Sequence, residues 1–360
     1  MKGKDKKRVG LLGWTSRALM LVAAGCLVLS YLSVFVNPAK AWFMTLFGLF
    51  FVPLLLLNVF LLVWAAVRRS RAILIPLLAL IPAFFLTGRF IQFTEPEETA
   101  GDGIKIVSYN VGRFALSAKR LHLENRQACA DSVFRFLRAQ QADIICLQEF
   151  HWRDAGEIKA RLAKEFPGYN AEYFVFTDRS GCYGNVTLSR FPSRGKGKLD
   201  FDKSSNLAIW SEYDVDGTRM RVYNCHFQSY NISFSRILRA LRSDYKQTVR
   251  DTEERMKASI ILRPEQVNAV LNDIAGAPVP SVITGDFNDN PLSYTYRRLS
   301  HGRKDSFVEA GKGSGATYAL LRPFLRIDYI LYPDAYHAVA HQVPHCRYSD
   351  HYPVIASIQP

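Results

Sequence analysis

Cysteine is sparse and unpatterned in this chain of 360 residues: six are present, and no two are spaced as C-x-x-C. That spacing is typical of structural zinc sites and dithiol redox centres, so the sequence offers neither. Cys182 and Cys346 fall in predicted loops and could pair in an oxidising compartment. The sequence leaves that question open.

Charge is almost missing from the first quarter of the chain. Between residues 18 and 88 the charged side chains are confined to Lys40, Arg68, Arg69 and Arg71. The rest forms three apolar runs, residues 18–36, 41–67 and 72–88. A bilayer core needs about 20 apolar residues per helix, with a range of roughly 17–25, so the runs predict three transmembrane helices in an anchor spanning residues 1–88. No run contains an ionisable side chain, which favours an anchor over a transporter.

The flanking charges predict an orientation for this anchor. Lysines and arginines precede the first run and separate the second from the third, whereas the link 37–40 carries one and the segment after the third run is acidic. The positive-inside rule therefore places the N-terminus in the cytoplasm and the remainder on the exoplasmic side, which is the periplasm in a two-membrane bacterium. Residues 89–103, with Pro96 and an acidic cluster, are predicted to be a linker.

The remaining segment, residues 104–360, is basic. It carries 35 basic and 27 acidic residues out of a chain total of 46 and 32. A net charge of this sign is compatible with a phosphate-bearing substrate or with an anionic membrane, and it selects neither.

Apolar strands alternate with helices in this segment. Helices are predicted at residues 125–140, 155–166, 234–255 and 264–274. Strands are predicted at residues 104–111, 143–149, 185–190, 207–215, 220–227, 281–286, 327–332 and 354–358. Many strands with short links and interspersed helices indicate an α/β fold of two packed sheets flanked by helices.

Polar residues recur at or beside the ends of these strands: Asn110, Glu149, His226, Asp286, Asn288, Asp328 and His351. One such residue usually marks a turn or a cap. Seven residues of the types used in hydrolysis, all at strand ends, predict a shared site. Asp286 and Asn288 lie two apart, so an extended chain would point both to one side, where they suit a phosphate oxygen beside a hard cation.

The motifs resemble those of the endonuclease/exonuclease/phosphatase superfamily, the DNase-I-like metal-dependent phosphohydrolases. The matching stretches follow the family order: Ser108–Val111, Leu147–Glu149, Asn224–His226, Gly285–Asn288, Ile327–Leu331 and Ser349–His351. The resemblance covers residues 104–359 and implies a four-layer sandwich, with two mixed sheets between layers of helices.

The resemblance also implies roles for metal binding. Glu149 would be the main ligand of Mg²⁺ or Mn²⁺, which prefer carboxylate and water oxygens. Asn110 and Asp350 would be further ligands. Some nuclease members carry an acidic residue at the position of Gly112, so a second metal ligand there is not expected.

Catalytic roles follow in the same way. His351 would be the general base, held in its tautomer by Asp328. Asp286 and Asn288 would orient the attacking water and the phosphate. His226 would bind the phosphate or protonate the leaving group. Asn185 is added as a substrate-binding candidate, although it departs from the family pattern, which often has only an apolar strand start at that position.

The predicted function is therefore a membrane-anchored, divalent-metal-dependent phosphodiesterase acting on nucleic acid or phospholipid head groups. A phosphomonoesterase is one alternative, and a catalytically silent binding or scaffold protein that keeps the fold is another. The presence of both Glu149 and His351 argues against the silent alternative. No obligate protein partner is evident, and membrane lipid would be contacted through the N-terminal helices.

Overall fold

The N-terminal part of the protein is helical. The structure, a computed structural model, describes residues 11–93, 103–115, 126–179, 181–202, 204–215, 217–230, 245–277 and 279–360. Its first helices are α1 (Leu11–Ser33), α2 (Met44–Leu49), α3 (Phe51–Val67) and α4 (Leu74–Phe84), with 3₁₀ turns at Arg71–Ile73 and Thr87–Arg89.

Within the described part of the chain, one helix qualifies as a membrane span by length and composition together, so the prediction of three spanning helices is wrong. Helix α1 has 23 residues, α3 has 17 and α4 has 11, or roughly 34, 26 and 17 Å against a bilayer core of about 30 Å. Among the described residues, Gly13–Ser33 alone is long and apolar enough to cross a membrane. Signal sequences and the core helices of soluble proteins share this length and composition. The second run is divided at Phe50, which leaves helical geometry, and α4 ends soon after Pro82.

The remaining chain forms fourteen strands and five helices in the described residues. The helices are α5 (Arg126–Gln140), α6 (Ala155–Glu165), α7 (Tyr245–Ala275), α8 (Tyr294–Leu299) and α9 (Ser306–Ala310). The strands are β1 (Ile91–Gln92), β2 (Ile104–Asn110), β3 (Ile144–Trp152), β4 (Asn170–Asp178), β5 (Gly181–Ser189), β6 (Ser193–Asp200), β7 (Leu207–Val215), β8 (Thr218–His226), β9 (Ser281–Asp286), β10 (Arg303–Asp305), β11 (Gly313–Ser314), β12 (Asp328–Pro333), β13 (His337–Gln342) and β14 (Val354–Gln359).

Two six-stranded mixed sheets form the centre, as the sequence predicts. Their orders are β13-β14-β2-β3-β5-β4 and β10-β12-β9-β8-β7-β6. Each contains one parallel pair, β2/β3 in the first sheet and β8/β9 in the second, among antiparallel neighbours. Apolar side chains such as Ile106 and Val222 fill the space between the sheets. Helices α5 and α6 cover the outer face of the first sheet, and α7 covers the second.

A buried polar side chain ties the two sheets together beneath the site. Asn224, on β8, donates from Nδ2 to the carbonyl oxygens of Leu147 (3.2 Å) and Val186 (2.9 Å) in the other sheet. Its Oδ1 accepts from Nε2 of Gln148 at 2.8 Å. Buried amides with satisfied partners fix relative position, so these bonds set how β3 and β8 face each other.

The N-terminal helices pack directly against the second part of the chain. Asn290 donates from Nδ2 to the Gly48 carbonyl at 2.8 Å, and the Ser33 hydroxyl donates to the Leu292 carbonyl at 3.3 Å. A Cβ on Gly48 would collide with that same Leu292 carbonyl, so the close approach requires glycine. Leu292 completes an apolar cluster otherwise built from α1, α3 and α4.

Part of the predicted linker is ordered against the sheets. Strand β1 pairs with β11 in a two-stranded ribbon, with Ile91 opposite Ser314. Arg326 donates from Nη2 to the Arg89 carbonyl at 3.0 Å. The rest of the linker, residues 94–102, lies outside the described residues.

The predicted break between helices 234–255 and 264–274 is wrong, because helix α7 continues through Pro264. Residues 234–244 of the first predicted helix lie outside the described residues. Cys182 and Cys346 are both free thiols in the structure.

Candidate active site

The strand ends meet at one edge of the sandwich, where the two parallel pairs finish. Asn110 closes β2 opposite Gln148 of β3, and His226 closes β8 opposite Asp286 of β9. Asp328 opens β12 directly opposite Asp286. Because parallel neighbours end at the same edge of a sheet, this topology gathers the polar side chains from both sheets.

Glu149 reaches this edge through a β-bulge. The register of β3 against β5 shifts between Leu147 and Phe150, and Glu149 has a left-handed φ of 50°. The bulge lets Gln148 and Phe150 both be fully buried while the Glu149 side chain stays 30% exposed. Strained backbone at this residue is consistent with a site that needs its carboxylate in one place.

Asp286 is the hub of the hydrogen bonds. Its Oδ2 accepts from Nδ2 of Asn110 at 2.9 Å and from Nδ2 of Asn288 at 3.1 Å, and its Oδ1 accepts from the Asn288 backbone N–H at 2.8 Å. Asn110 also donates to Oε1 of Glu149 at 3.3 Å. Oriented in this way, Asn110 presents its nitrogen to both carboxylates and holds them together.

His351 forms a dyad with Asp328. The imidazole Nδ1 lies 2.9 and 3.2 Å from the two carboxylate oxygens, while Nε2 lies 3.7 Å from Oδ2 of Asp286. Nδ1 therefore carries a proton that it donates to Asp328, and Nε2 faces the site. Tyr318 pairs with His351 in an isolated bridge, and its ring meets the imidazole edge-on at 5.4 Å.

His226 points into the same space without a hydrogen-bond partner. Its buried Nε2 is unsatisfied within the described residues. It lies 3.6 Å from Oε1 of Glu149 and 3.9 Å from Oδ2 of Asp286. These distances exceed those of hydrogen bonds. A buried donor or acceptor left this way points to a group that binds there, such as a phosphate oxygen.

The pKa values of His226 and His351 shift in opposite directions. Burial lowers the pKa of His226, and the carboxylate of Glu149 only partly offsets this. Burial also opposes charge on His351, but the carboxylates of Asp328 and Asp286 outweigh it and hold the pKa of His351 well above its usual value. Burial, with the nearby Asp328 charge, raises the pKa of Asp286 to about 7. Such divergent shifts in one cluster are typical of active sites.

The residues present fit a hard divalent cation. Three carboxylates, those of Glu149, Asp286 and Asp328, face one space, and oxygen donors are what Mg²⁺ and Mn²⁺ prefer. Asp286, Asp328 and His351 could also hold a metal as a trio, since they offer ligand atoms within 4.8 Å of one another. We favour the Glu149 side, because His351 Nδ1 and Asp328 already bond to each other.

Two predicted site residues lie apart from this cluster. Asn185 is fully buried, and its Nδ2 donates to the carbonyls of Leu207 (3.2 Å) and Asn224 (3.0 Å). It therefore braces strands behind the site. Asp350 accepts from the Ser349 hydroxyl at 3.3 Å beside Gly112. Their roles in binding substrate and metal stay predictions.

Sequence reasoning missed Arg113. Its Nε lies 3.7 Å from Oε2 of Glu149, and its guanidinium stacks over Tyr183 at 4.6 Å. A left-handed φ of 56° follows the tight turn at Gly112. Only its position just after the Asn110 motif could have pointed to it.

A second missed residue is Arg263, which supports the loop behind Asn288. It is 1% exposed on α7, bonds to the Asn288 carbonyl, and pairs with Oδ2 of Asp289 at 3.2 Å. Tyr230 donates to Oδ1 of the same carboxylate at 2.9 Å and stacks under the guanidinium at 4.0 Å. Asn288 has a left-handed φ of 51°, and the contacts of Arg263 with the Asn288 carbonyl and with Asp289 stabilise this backbone conformation.

Comparisons with solved structures agree with the fold. An endonuclease/exonuclease/phosphatase from Beutenbergia cavernae superimposes with a TM-score of 0.51 at 19% identity, covering 72% of each chain. A family protein from Leptotrichia buccalis gives 0.52 at 17%, covering 71% of this chain and all of its own. D. rerio TDP2 in complex with a single-strand DNA product gives 0.50 at 15%, covering 72% and 100%. Identities this low show similarity of fold alone.

Family comparison covers both parts of the chain. No curated protein matches it. Residues 14–90 match a domain family of unknown function. Residues 107–351, from β2 to His351, match the Endonuclease/Exonuclease/phosphatase family. The chain therefore belongs to that family, whose members hydrolyse phosphoric esters.

Proposed function

We propose that the protein is a divalent-metal-dependent phosphodiesterase held at a membrane by its N-terminal helices. The observation that carries the chemistry is the convergence of Glu149, Asp286 and the His351–Asp328 dyad around the unpartnered Nε2 of His226. Acid, base and carboxylate groups in one small space are what ester hydrolysis needs.

Each side chain has a proposed task in the hydrolysis. His351 takes a proton from water at Nε2, while Asp328 holds the proton on Nδ1. The water oxygen bonds to phosphorus, the ester P–O bond breaks, and the leaving alkoxide takes a proton from solvent. His226 is placed to bind a phosphate oxygen at Nε2. Asn288 and Asp286 orient the phosphate. A bound Mg²⁺ or Mn²⁺, held by Glu149 with Asn110 beside it, would polarise a phosphoryl oxygen.

The first test is hydrolysis of bis(p-nitrophenyl) phosphate and p-nitrophenyl phosphate by the full chain with Mg²⁺, Mn²⁺ or chelator. We expect metal-dependent release of nitrophenol, faster from the diester, and a loss of at least about 10²-fold in Glu149→Gln. Glu254→Gln, an exposed glutamate on α7, is the matched control and should behave as wild type. A preference for the monoester would favour the phosphatase alternative. A folded chain that binds Mn²⁺ by calorimetry but turns over neither ester would favour the scaffold alternative.

Exposed apolar surface supports the membrane attachment. Large apolar side chains on α1, α3 and α4 are exposed in the structure, among them Val22 (64%), Phe60 (64%) and Phe84 (78%). Patches of this extent are rarely left to water. Helix α1 is also integrated in the fold, because Asn58 of α3 donates to its Ala23 carbonyl at 3.0 Å. That contact favours an anchor over a cleaved signal sequence.

The proposed orientation has its own test. Ser33, which contacts Leu292, is the last residue of α1, whereas Arg17 lies in the first half of that helix. The positive-inside rule puts Arg17 and the basic residues before it in the cytoplasm. Alkaline phosphatase fused after Pro360 should therefore be active in cells, and a cytoplasm-dependent fluorescent reporter at the same site should be dark. The reverse pattern would refute the exoplasmic placement.

A further inference from the structure

Exposed apolar side chains are concentrated in one place on the catalytic part of the protein. Among the described residues from 91 onward, seven large apolar side chains are exposed. Two stand apart, Phe174 on β4 and Val249 on α7. The other five form what we call the ribbon patch: Ile91 (41%), Phe93 (85%), Val308 (41%), Leu320 (50%) and Phe324 (49%).

Backbone pairing holds the ribbon patch together. Ile91 sits opposite Ser314 in the β1–β11 ribbon, and the Ser314 hydroxyl donates to the Pro323 carbonyl at 2.9 Å. Gln92 donates from Nε2 to the Val308 carbonyl at 3.0 Å. These bonds join the segment at residues 91–92 to residues 308, 314 and 323. The segments that carry the five side chains are therefore adjacent in the fold.

The ribbon patch continues the apolar surface of the N-terminal helices. Helix α4 ends with Phe84 and Phe85, which are 78% and 77% exposed, and β1 begins six residues later. The Phe90 carbonyl accepts from the Gly315 N–H at 3.3 Å, so the chain passes from the helix end straight onto the ribbon. The surface that covers α4 therefore reaches the ribbon patch as well.

The same segment touches the catalytic dyad. Tyr318, whose ring packs on His351, precedes Leu320 by two residues. The Ala319 N–H donates to the Asp350 carbonyl at 2.8 Å, and the Thr317 hydroxyl accepts from the Asp328 N–H at 3.1 Å. Residues 317–324 thus run from the dyad to the ribbon patch without another element between them.

We infer that the ribbon patch rests on the surface of the bilayer that holds the N-terminal helices, and that the site hydrolyses a phosphate ester carried by a lipid in that bilayer. This rests on the proposed function. Arg89, Lys312 and Arg322 lie within four residues in sequence of members of the patch. Cations near a membrane surface are attracted to anionic lipid, so these residues suit anionic head groups. A lipid phosphate at that surface lies beside the segment that reaches His351, so it enters the site without leaving the bilayer.

Photo-cross-linking tests the contact independently of activity. The full chain is placed in nanodiscs of phosphatidylethanolamine and phosphatidylglycerol, with p-benzoylphenylalanine replacing Phe324, Phe174 or Phe60 in separate samples. We expect lipid adducts by mass spectrometry at positions 324 and 60 and none at 174, an exposed phenylalanine outside the patch. Adducts at 60 alone would overturn the patch contact, as would a protein adduct at 324. No adduct at 60 would overturn the membrane placement and this inference with it.

Turnover tests the substrate class. In Leu320→Asn/Phe324→Asn, hydrolysis of lipids in the nanodisc should fall at least about tenfold, because two apolar side chains no longer enter the interface. Hydrolysis of soluble bis(p-nitrophenyl) phosphate should stay within about twofold of wild type, and Phe174→Asn should change neither rate. Turnover of the soluble ester with no lipid product would overturn the substrate class while leaving the proposed hydrolase in place. If neither the lipid nor the soluble ester is hydrolysed, the proposed hydrolase activity itself is refuted.

Discussion

Replacing His351 by alanine is expected to lower kcat/KM for bis(p-nitrophenyl) phosphate by roughly 10³-fold. The imidazole presents Nε2 to the site, 3.7 Å from Asp286, and the change removes this proton acceptor while leaving the carboxylates in place. Initial rates with saturating Mn²⁺ measure the effect. His301→Ala, an exposed histidine between α8 and β10, is the matched control and should keep the wild-type rate.

Asp328→Asn separates orientation from proton transfer in the same dyad. The rate should fall by roughly 10²-fold, because the amide no longer enforces the proton on Nδ1. The Asp328 carboxylate raises the pKa of His351 by favouring its charged form. Its removal therefore lowers that pKa, and the acidic limb of the pH–rate profile should move to lower pH. A limb that moves upward, or a His351→Ala variant that keeps most of its activity, would contradict the assignment of the base.

Arg263→Met is expected to cost about 3–5 kcal/mol of unfolding free energy. The guanidinium is 1% exposed, and its loss leaves the equally buried carboxylate of Asp289 without its cation. A buried unpaired charge is far more costly than an absent pair. Urea unfolding in detergent, followed by tryptophan fluorescence, measures the change. Activity should fall too, because Arg263 also bonds to the carbonyl of Asn288.

Two companion variants decide the cause of that loss. Arg194→Met breaks an ion pair with Asp214 in which both side chains are well exposed, so it should cost no more than about 0.5 kcal/mol. Arg263→Met/Asp289→Leu removes the buried charge with its partner and should recover part of the stability of the single variant. If the double variant is no more stable than Arg263→Met, the lost packing of the arginine over Tyr230 is the cause.

The sequence predicts the interior strands of both sheets and misses their edges. All eight interior strands overlap a predicted one, whereas β4, β6, β10 and β13, which bound the two sheets, were not predicted. An interior strand is covered on both sides and reads as an apolar run. Edge strand β6 is instead Ser-Arg-Gly-Lys-Gly-Lys-Leu-Asp, with every second residue exposed. It is a strand because β7 pairs with it, with Gly197 flat against the Trp210 ring.

The site was predictable to the extent that it lies at strand ends. The seven strand-end residues could be found because each interrupts an apolar pattern, and the structure brings them together. Arg113 and Arg263 carry no such signal, since an arginine after a turn or in a helix is usually solvated surface. Their positions depend on tertiary packing. Span length failed for a related reason, because composition does not reveal that helical geometry breaks at Phe50 and that α4 ends at Phe84.

The contact between the N-terminal helices and the catalytic part has a consequence for biosynthesis. Asn290 and Gly48 are separated by 242 residues, and Leu292 and Ser33 by 259. Protein synthesis adds about 5–20 residues per second, so roughly 10–50 s pass between synthesis of the helices and synthesis of these partner residues. The helices are therefore synthesised first, and the end that meets Leu292 stays uncovered until then. Docking of the catalytic part onto them is among the last steps of assembly, and nascent chains stalled before residue 290 should lack it.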